Sequence, residues 1–413
     1  MAKTYGYLGK YESKAATMLD IVNNYPKSTF VVPALYEVAE SYRLLENDTK
    51  AKKYYNQLIT DYPNHPKMMD AMFQLGMSHF RNQEYAQAEK EFLRVLNEST
   101  DETMKKQALA RLKDVYTALN EPEKYIALVA QSGPELDQNE KDVLYFENAY
   151  DLYEDSSWVK SINAFDKYLA EFPKPIHELE ALYFKGYSHT KIGENDKAHL
   201  AYSKLLAKPQ NRFTERAASF SAQYEYENKN YTQAIVYYKI LLQAAKYPQN
   251  KLIANIGLMR SYTFNEEFGP AKPYAEKVLV DIQSLDYVKT EAHYVIGKAL
   301  MAHHDYDNAK THFEHVAKES NAAIGAESQF NIALIFNLQE DYAQSESEVR
   351  TLMKDHAGYD YWVAKALILQ AKNSMGIEDY VQAEYTLNSV LNGYTIPDDG
   401  IIDEANEVMQ VLD

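Results

Sequence analysis

A small residue returns along this chain at nearly constant spacing: Ala51, Ala88, Ser161, Ala198, Ala234, Ala271, Ala309, Ser345 and Ala383. The steps are 36–38 residues, and the gap of 73 between Ala88 and Ser161 holds two periods with one weaker unit between them. A fixed period of this size marks an array of supersecondary units that bury their faces against neighbours. Four residues after the small one stands a large one: Tyr55, Phe92, Phe165, Tyr202, Tyr238, Phe313, Val349 or Leu387. Three further on come Leu58, Val95, Tyr168, Leu205, Leu241, Val278, Val316, Leu352 and Val390. Offsets of four and seven place these side chains on one helical face. An aromatic residue opens the same helix three positions before the small one: Tyr85, Trp158, Tyr231, Phe268, Tyr306, Tyr342 and Tyr380.

A preceding helix carries its own small column, Ala39, Gly76, Ala149, Gly186, Ala222, Gly297, Ala333 and Ala371. Small residues at a crossing let two helix backbones approach while the large residues fill the flanks. This arrangement resembles the tetratricopeptide repeat family. Gly76, Tyr85, Ala88 and Phe92 carry its pattern in one unit, and Gly297, Tyr306, Ala309 and Phe313 in another. The resemblance implies an all-α, right-handed superhelical solenoid of about ten helix–turn–helix units. The period departs from the usual 34 residues, and we assign the surplus to the turns between units.

A narrower resemblance is to bacterial cell-envelope repeat proteins, such as outer-membrane-assembly lipoproteins and Tol-Pal coordinators, whose units end in aromatic-Pro. Here Tyr25-Pro26, Tyr62-Pro63, Phe172-Pro173 and Tyr247-Pro248 do so. The plainer explanation is that Pro stops the helix while the aromatic covers its apolar face. The lipoprotein Cys is absent.

A chain of 413 residues exceeds what one compact core commonly holds, a limit that a solenoid escapes. The net charge of −17 disfavours nucleic acid and anionic membranes as partners. Without Cys there is no disulfide and no thiolate chemistry. No apolar run reaches the ~18–20 residues of a membrane span, and the first residues lack the apolar core of a signal peptide.

Along the chain, residues 1–31 read as a partial repeat whose 11–26 stretch is a lone second helix with Lys14 in the small-residue position. Residues 32–135 hold repeats one to three, 136–398 repeats four to ten, and 399–413 a capping or truncated helix. A chain opening on half a unit suggests a piece of something longer. Asp403, Glu404, Glu407 and Asp413 could give the last helix a polar outer face. In the weak unit, 106–135, Tyr125 takes the small-residue place and Gly133-Pro134 breaks the helix, so a kink and a boundary are expected near 135–140. Alternatively, Tyr125 tilts outward and the stack continues. Pro270 fits a first helical turn, whereas Pro273 is expected to delay its helix.

His303, His304, Asp305, Asp307, His312 and His315 form the densest cluster of metal-ligand types. His312 and His315 share a helix face and could meet zinc or nickel. The plainer explanation is a polar turn followed by exposed flanks of a buried column. No HExxH, phosphate loop or GxSxG elbow occurs, so no cofactor and no enzymatic role are expected.

The resembling family lines its groove with the first helix of each unit. One such column here holds Tyr36, Phe73, Phe146, Tyr183, Tyr294 and Phe330, and the next holds Tyr187 and Lys298 among others. Tyrosine pairs contact area with a hydroxyl and suits protein partners. The same rings could instead pack between adjacent first helices. Aromatics stand where a carboxylate clamp would need Lys or Asn, which argues against capture of a C-terminal tail. The expectation is a scaffold for protein or peptide partners, in a bacterial envelope or secretion assembly, with the periplasm favoured over the cytoplasm. A cytoplasmic adaptor and a metal-binding protein or enzyme at the His303–His315 cluster are the alternatives. Partner identity and oligomeric state are not legible.

Overall fold

Each helical hairpin turns on one residue held in the left-handed region. In the computed structural model, which describes residues 1–132 and 136–412, these residues are Glu46, Gln83, Asn120, Ser156, Gly193, Lys229, Glu266, His304, Glu340 and Glu378. Their φ values lie between 55° and 77°. Each precedes the small column of the second helix by five positions, and Asn120 precedes Tyr125 by the same five. The weak repeat is therefore in register with the others. The left-handed residue folds the next amides back onto the last turn. Glu46 N–H donates to Arg43 O and Asn47 N–H to Tyr42 O, at 3.0 and 2.9 Å; His304 and Asp305 do the same to Met301 and Leu300.

Only one of these ten residues is glycine, and an L side chain in this region costs about 1 kcal/mol. Glu340→Gly and Glu378→Gly, both at exposed positions, are each expected to raise stability by roughly 0.5–1 kcal/mol. A higher urea midpoint at unchanged slope would register the gain.

The chain divides into two compact bodies, residues 1–198 and 199–413. The first contains α1 (Ala2–Tyr7) and α2 (Tyr11–Asn24), then the pairs α3 (Val31–Leu44) with α4 (Asp48–Asp61), α5 (Lys67–Arg81) with α6 (Tyr85–Glu98), α7 (Glu102–Leu119) with α8 (Pro122–Ser132), and α9 (Gln138–Glu154) with α10 (Trp158–Glu171). The helix α11 (Glu178–Lys191) follows, and the division falls within α12 (Asn195–Leu206). The second body pairs α13 (Thr214–Glu227) with α14 (Tyr231–Ala244), α15 (Pro248–Phe264) with α16 (Phe268–Val280), α17 (Asp286–Ala302) with α18 (Tyr306–Glu319), α19 (Ala323–Leu338) with α20 (Tyr342–Asp355), and α21 (Asp360–Gly376) with α22 (Tyr380–Gly393), and adds α23 (Ile401–Met409). Among the described residues there is no strand. The fold is an all-α stack of helix–turn–helix repeats, as the period requires.

The columns explain the packing. Every member of the second-helix small column is fully buried, from Ala51 to Ala383. Where it is serine, the hydroxyl donates to the small residue of the first helix: Ser161 to Ala149 O (3.3 Å) and Ser345 to Ala333 O (2.9 Å). Only closely approaching backbones permit that bond. A Cβ built on Gly76 would stand 2.8 Å from Phe92 Cε1, and one on Gly297 would stand 2.8 Å from Phe313 Cε1. The glycine is thus the seat of the large residue of its own repeat.

In the weak repeat, Tyr125 is half-buried and joins a core of Ala88, Phe92, Leu112, Val115 and Tyr116. The expected break at Gly133-Pro134 lies outside the described residues.

Pro273 does not delay its helix. The helix α16 begins at Phe268, in the register of the other repeats, with Pro273 inside it. The carbonyl facing the proline ring belongs to Gly269, in the first turn, where the ladder has barely begun. At the start, α2 packs on α3 as a second helix would, Lys14 pairs with Glu37, and α1 is an element the columns did not announce. At the other end, α23 buries Ile401, Ala405 and Val408 against α21 and α22. Asp403 and Glu407 are exposed, but Glu404 turns inward to Lys365 and Lys372 (2.5 and 2.9 Å). Burial raises the Glu404 pKa, and the two lysines outweigh it, holding the carboxyl below its usual range. Asp413 lies outside the described residues.

Candidate functional site

Within each body, successive first helices touch in most steps, as α3 does α5, α7 does α9, α13 does α15 and α19 does α21. They therefore line one face. The expected aromatic column lies along it but is largely occupied by internal packing. Tyr36 meets Tyr55 edge-on at 6.1 Å, beneath the Lys67 ammonium. Phe73 packs on Phe92. Phe146 packs on Phe165 and Tyr168 and stacks on His177 at 4.3 Å. Tyr183 and Phe330 are buried, at 5% and 8% exposure. Phe330 lies against Trp362, and Tyr294 against Phe268. Burial drives the Tyr294 and Tyr36 hydroxyls well above the ordinary phenol range, so both stay neutral.

Lys298 is a rung of a ladder. It donates to Glu327 of the next first helix at 2.7 Å and lies over the Phe268 ring. One step earlier Arg260 grips Glu291 with two hydrogen bonds, 2.8 and 3.1 Å. The partners are 29 and 31 residues apart, so the repeat itself brings them together.

Tyr36, Phe73, Phe146 and Tyr294 remain half-buried, and the densest cluster of half-buried rings adjoins Phe146. On α9 and α11, Tyr150, Tyr153, Phe184 and Tyr187 are all half-buried. Tyr150 packs on Phe184 at 5.0 Å, and Tyr153 reaches Phe184 at 4.6 Å and Tyr187 at 5.7 Å. Trp158, which opens α10, closes the wall against Tyr153 and Tyr187, and the Lys191 ammonium lies over Tyr187. Of the expected site residues, the structure gathers Phe146 and Tyr187 at this wall. Tyr153 and Phe184 were missed because neither falls in the two expected columns.

The histidines sort differently from their sequence cluster. His304 is the left-handed residue of the α17–α18 turn and meets Tyr306 Oη at 2.8 Å; His303 is the cap of α17. His312 and His315 instead meet His293 of α17. The Nδ1 atoms of His293 and His312 are 2.9 Å apart, and the His293 and His315 ring centres 4.1 Å. Among the described residues, no three His, Cys, Asp or Glu side chains are arranged to hold a metal ion.

Burial, followed by His315 and His312, lowers the His293 pKa from 6.5 to about 4. The folded state therefore favours the neutral ring. Its contribution is present above pH 6.5 and is lost as pH falls towards 4. The site is half exposed, and solvent screening keeps the expected loss below about 2 kcal/mol. A urea midpoint that falls between pH 7 and pH 4.5, and falls less in His293→Gln, is the expected result.

Residues 33–65 and 70–100 match the sequence model of the family described as Tetratricopeptide repeat. The matched residues fall in the repeats α3–α4 and α5–α6. No curated protein matches the sequence. Among solved structures, similarity extends to the P58(IPK) TPR domain, at 14% identity over 100% of this chain and 96% of that one with a TM-score of 0.27. The C-terminal part of a TPR repeat-containing protein from Cytophaga hutchinsonii matches at 16% identity over 63% and 98%, TM-score 0.40. Yeast Tom70 matches at 12% over 100% and 94%, TM-score 0.34. No helix among the described residues is long and apolar enough to cross a membrane.

Proposed function

We propose that the protein is a non-enzymatic scaffold that binds segments of other proteins on the face of its first helices, centred on the aromatic wall of α9 and α11. The observation that carries this reading is the set of mutually packed, half-exposed rings Tyr150, Tyr153, Phe184 and Tyr187. Such rings are already ordered by one another, so a partner loses little side-chain entropy in engaging them. The repeat fold and the family match support the general role. The more specific role is in a bacterial multiprotein assembly of the envelope or secretion machinery, supported by the aromatic-Pro closures at Tyr25, Tyr62, Phe172 and Tyr247.

The test places a photo-crosslinking benzoylphenylalanine at Tyr150 or Tyr187, with exposed Val159 of α10 as the control position. Protein adducts at 150 and 187 but not at 159 are expected, and envelope proteins among them would support the assembly role. A folded protein with no adduct at 150 or 187 would remove the wall from consideration. Adducts with soluble proteins alone would remove the envelope role.

A further inference from the structure

In the second body a cleft of about 510 Å³ lies between α18, α19 and α20. Its wall includes Glu314, Lys318, Gln329, Glu348, Asp355 and His356. His356 is 6% exposed; no hydrogen bond joins its imidazole to the protein, and its ring nitrogens are reached by solvent. Gln329 is equally buried, and its amide donates to Glu348 Oε2 at 2.7 Å and to the Glu348 carbonyl at 3.3 Å. One carboxylate is therefore held in place by a buried amide, beside an imidazole that the protein leaves without a hydrogen bond. The imidazole has its berth because residue 325 is glycine: a Cβ there would stand 3.2 Å from His356 Cε1 and 1.9 Å from the Ser320 carbonyl. Tyr359 Oη donates to Asn321 O at 2.5 Å and ties the loop after α20 to the loop after α18.

We propose that this cleft binds an organic cation with N–H donors, an alkylammonium or a guanidinium group, between Glu348 and His356. Three carboxylates line it, Glu314, Glu348 and Asp355, against the one ammonium of Lys318, whose side chain is 81% exposed. Burial holds the His356 imidazole below its ordinary pKa, with Asp355 opposing. The ring is therefore neutral at pH 7, offers an acceptor nitrogen and does not repel a cation. The acceptors do not converge on a metal-sized point among the described residues. They spread over a volume in the range of small-molecule sites. A ligand N–H on His356 would give the imidazole a partner that the protein itself does not supply. A free polyamine and a Lys or Arg side chain of another protein present the same chemistry.

Titration calorimetry of the full chain with spermidine, and separately with acetyl-Gly-Gly-Arg-Gly-Gly-amide, tests the site and distinguishes the sources. Saturable binding of one probe or both, with one equivalent per chain, is expected. Spermidine alone would indicate a free polyamine, and the peptide alone a protein side chain. Glu348→Gln and His356→Gln should each weaken binding about tenfold or more, the loss of one hydrogen bond to a charged group. Glu384→Gln, at an exposed position on α22, changes net charge equally and should leave binding unaltered. The His356 ring resonances, assigned by their loss in His356→Gln, should shift on ligand addition to the wild-type chain. Absence of saturable binding by either probe, or equal weakening in the Glu384 variant, overturns the proposal. So does unchanged binding in a folded Glu348→Gln protein.

Discussion

Phe313→Ala is expected to destabilise the second body by about 3–5 kcal/mol, the range for a fully buried aromatic truncated to a methyl. The ring fills the space between Gly297 on one side and Ile332 and Ile335 of the next repeat on the other. Its loss opens a cavity that two helices would have to shift to close. The converse change tests the same seat: Gly297→Ala forces a methyl against Phe313 and should cost about 1–3 kcal/mol. In a Phe313→Leu background that penalty should shrink, because the two positions share one volume. Equal penalties in both backgrounds would mean that the two columns do not set the distance between the helices. Each body holds one tryptophan, Trp158 or Trp362. Urea unfolding followed by Trp362 emission in a Trp158→Phe background reads the second body alone.

Asp142→Ala should cost the first body about 2–4 kcal/mol. Asp142 is a buried carboxylate at 3% exposure. It accepts the Tyr168 hydroxyl at 2.6 Å and the Ile176 backbone N–H at 3.1 Å, while Tyr168 Oη accepts the His177 N–H at 2.9 Å. These bonds fasten the segment after Phe172-Pro173 to the start of its own repeat. Alanine would leave a hydroxyl and an amide buried without an acceptor, each costing about 1–3 kcal/mol. Asp142→Asn keeps one oxygen in place and should cost less than half as much. Trp158 emission in a Trp362→Phe background is the readout. A cost below 0.5 kcal/mol for the alanine variant, on the scale of an ordinary surface change, would show that water replaces the carboxylate.

The repeat was legible because its determinants are local and periodic. Ala309, Phe313 and Val316 lie within about two turns of helix, and Gly297 is only twelve residues upstream of Ala309. The hinge was not legible. Glu, Gln, Asn, Ser, Lys, His and Gly all occupy the left-handed position. The conformation is imposed there by the helices on either side, and its cost of about 1 kcal/mol is small beside the burial that follows. Pro273 misled for a related reason, since Gly269 and the first turn accommodate what a mid-helix site would not.

The aromatic column was read from its spacing alone, and the exposure of its members was not in the sequence. Tyr183 and Phe330 are buried while Tyr150 and Tyr187 are not, because exposure depends on the neighbouring helices. The Arg260–Glu291 and Lys298–Glu327 pairs join successive first helices at offsets of 31 and 29, shorter than the period, and would have been found by comparing charges at those offsets. His356 and Gln329, 27 residues apart and unlike any column, carried no such signal.

Within each body, every extensive contact joins elements at most two apart in the chain. A protein built this way has a particular response to tension. Stretched, each body can yield one hairpin at a time, because among its described residues no extensive contact runs across several repeats and resists collectively. Each 36–38-residue repeat, drawn out fully, would lengthen the molecule by roughly 120–130 Å before subtracting its folded span. Such a chain can act as an extensible tether, paying out length in nearly equal steps while the remaining hairpins keep their shape.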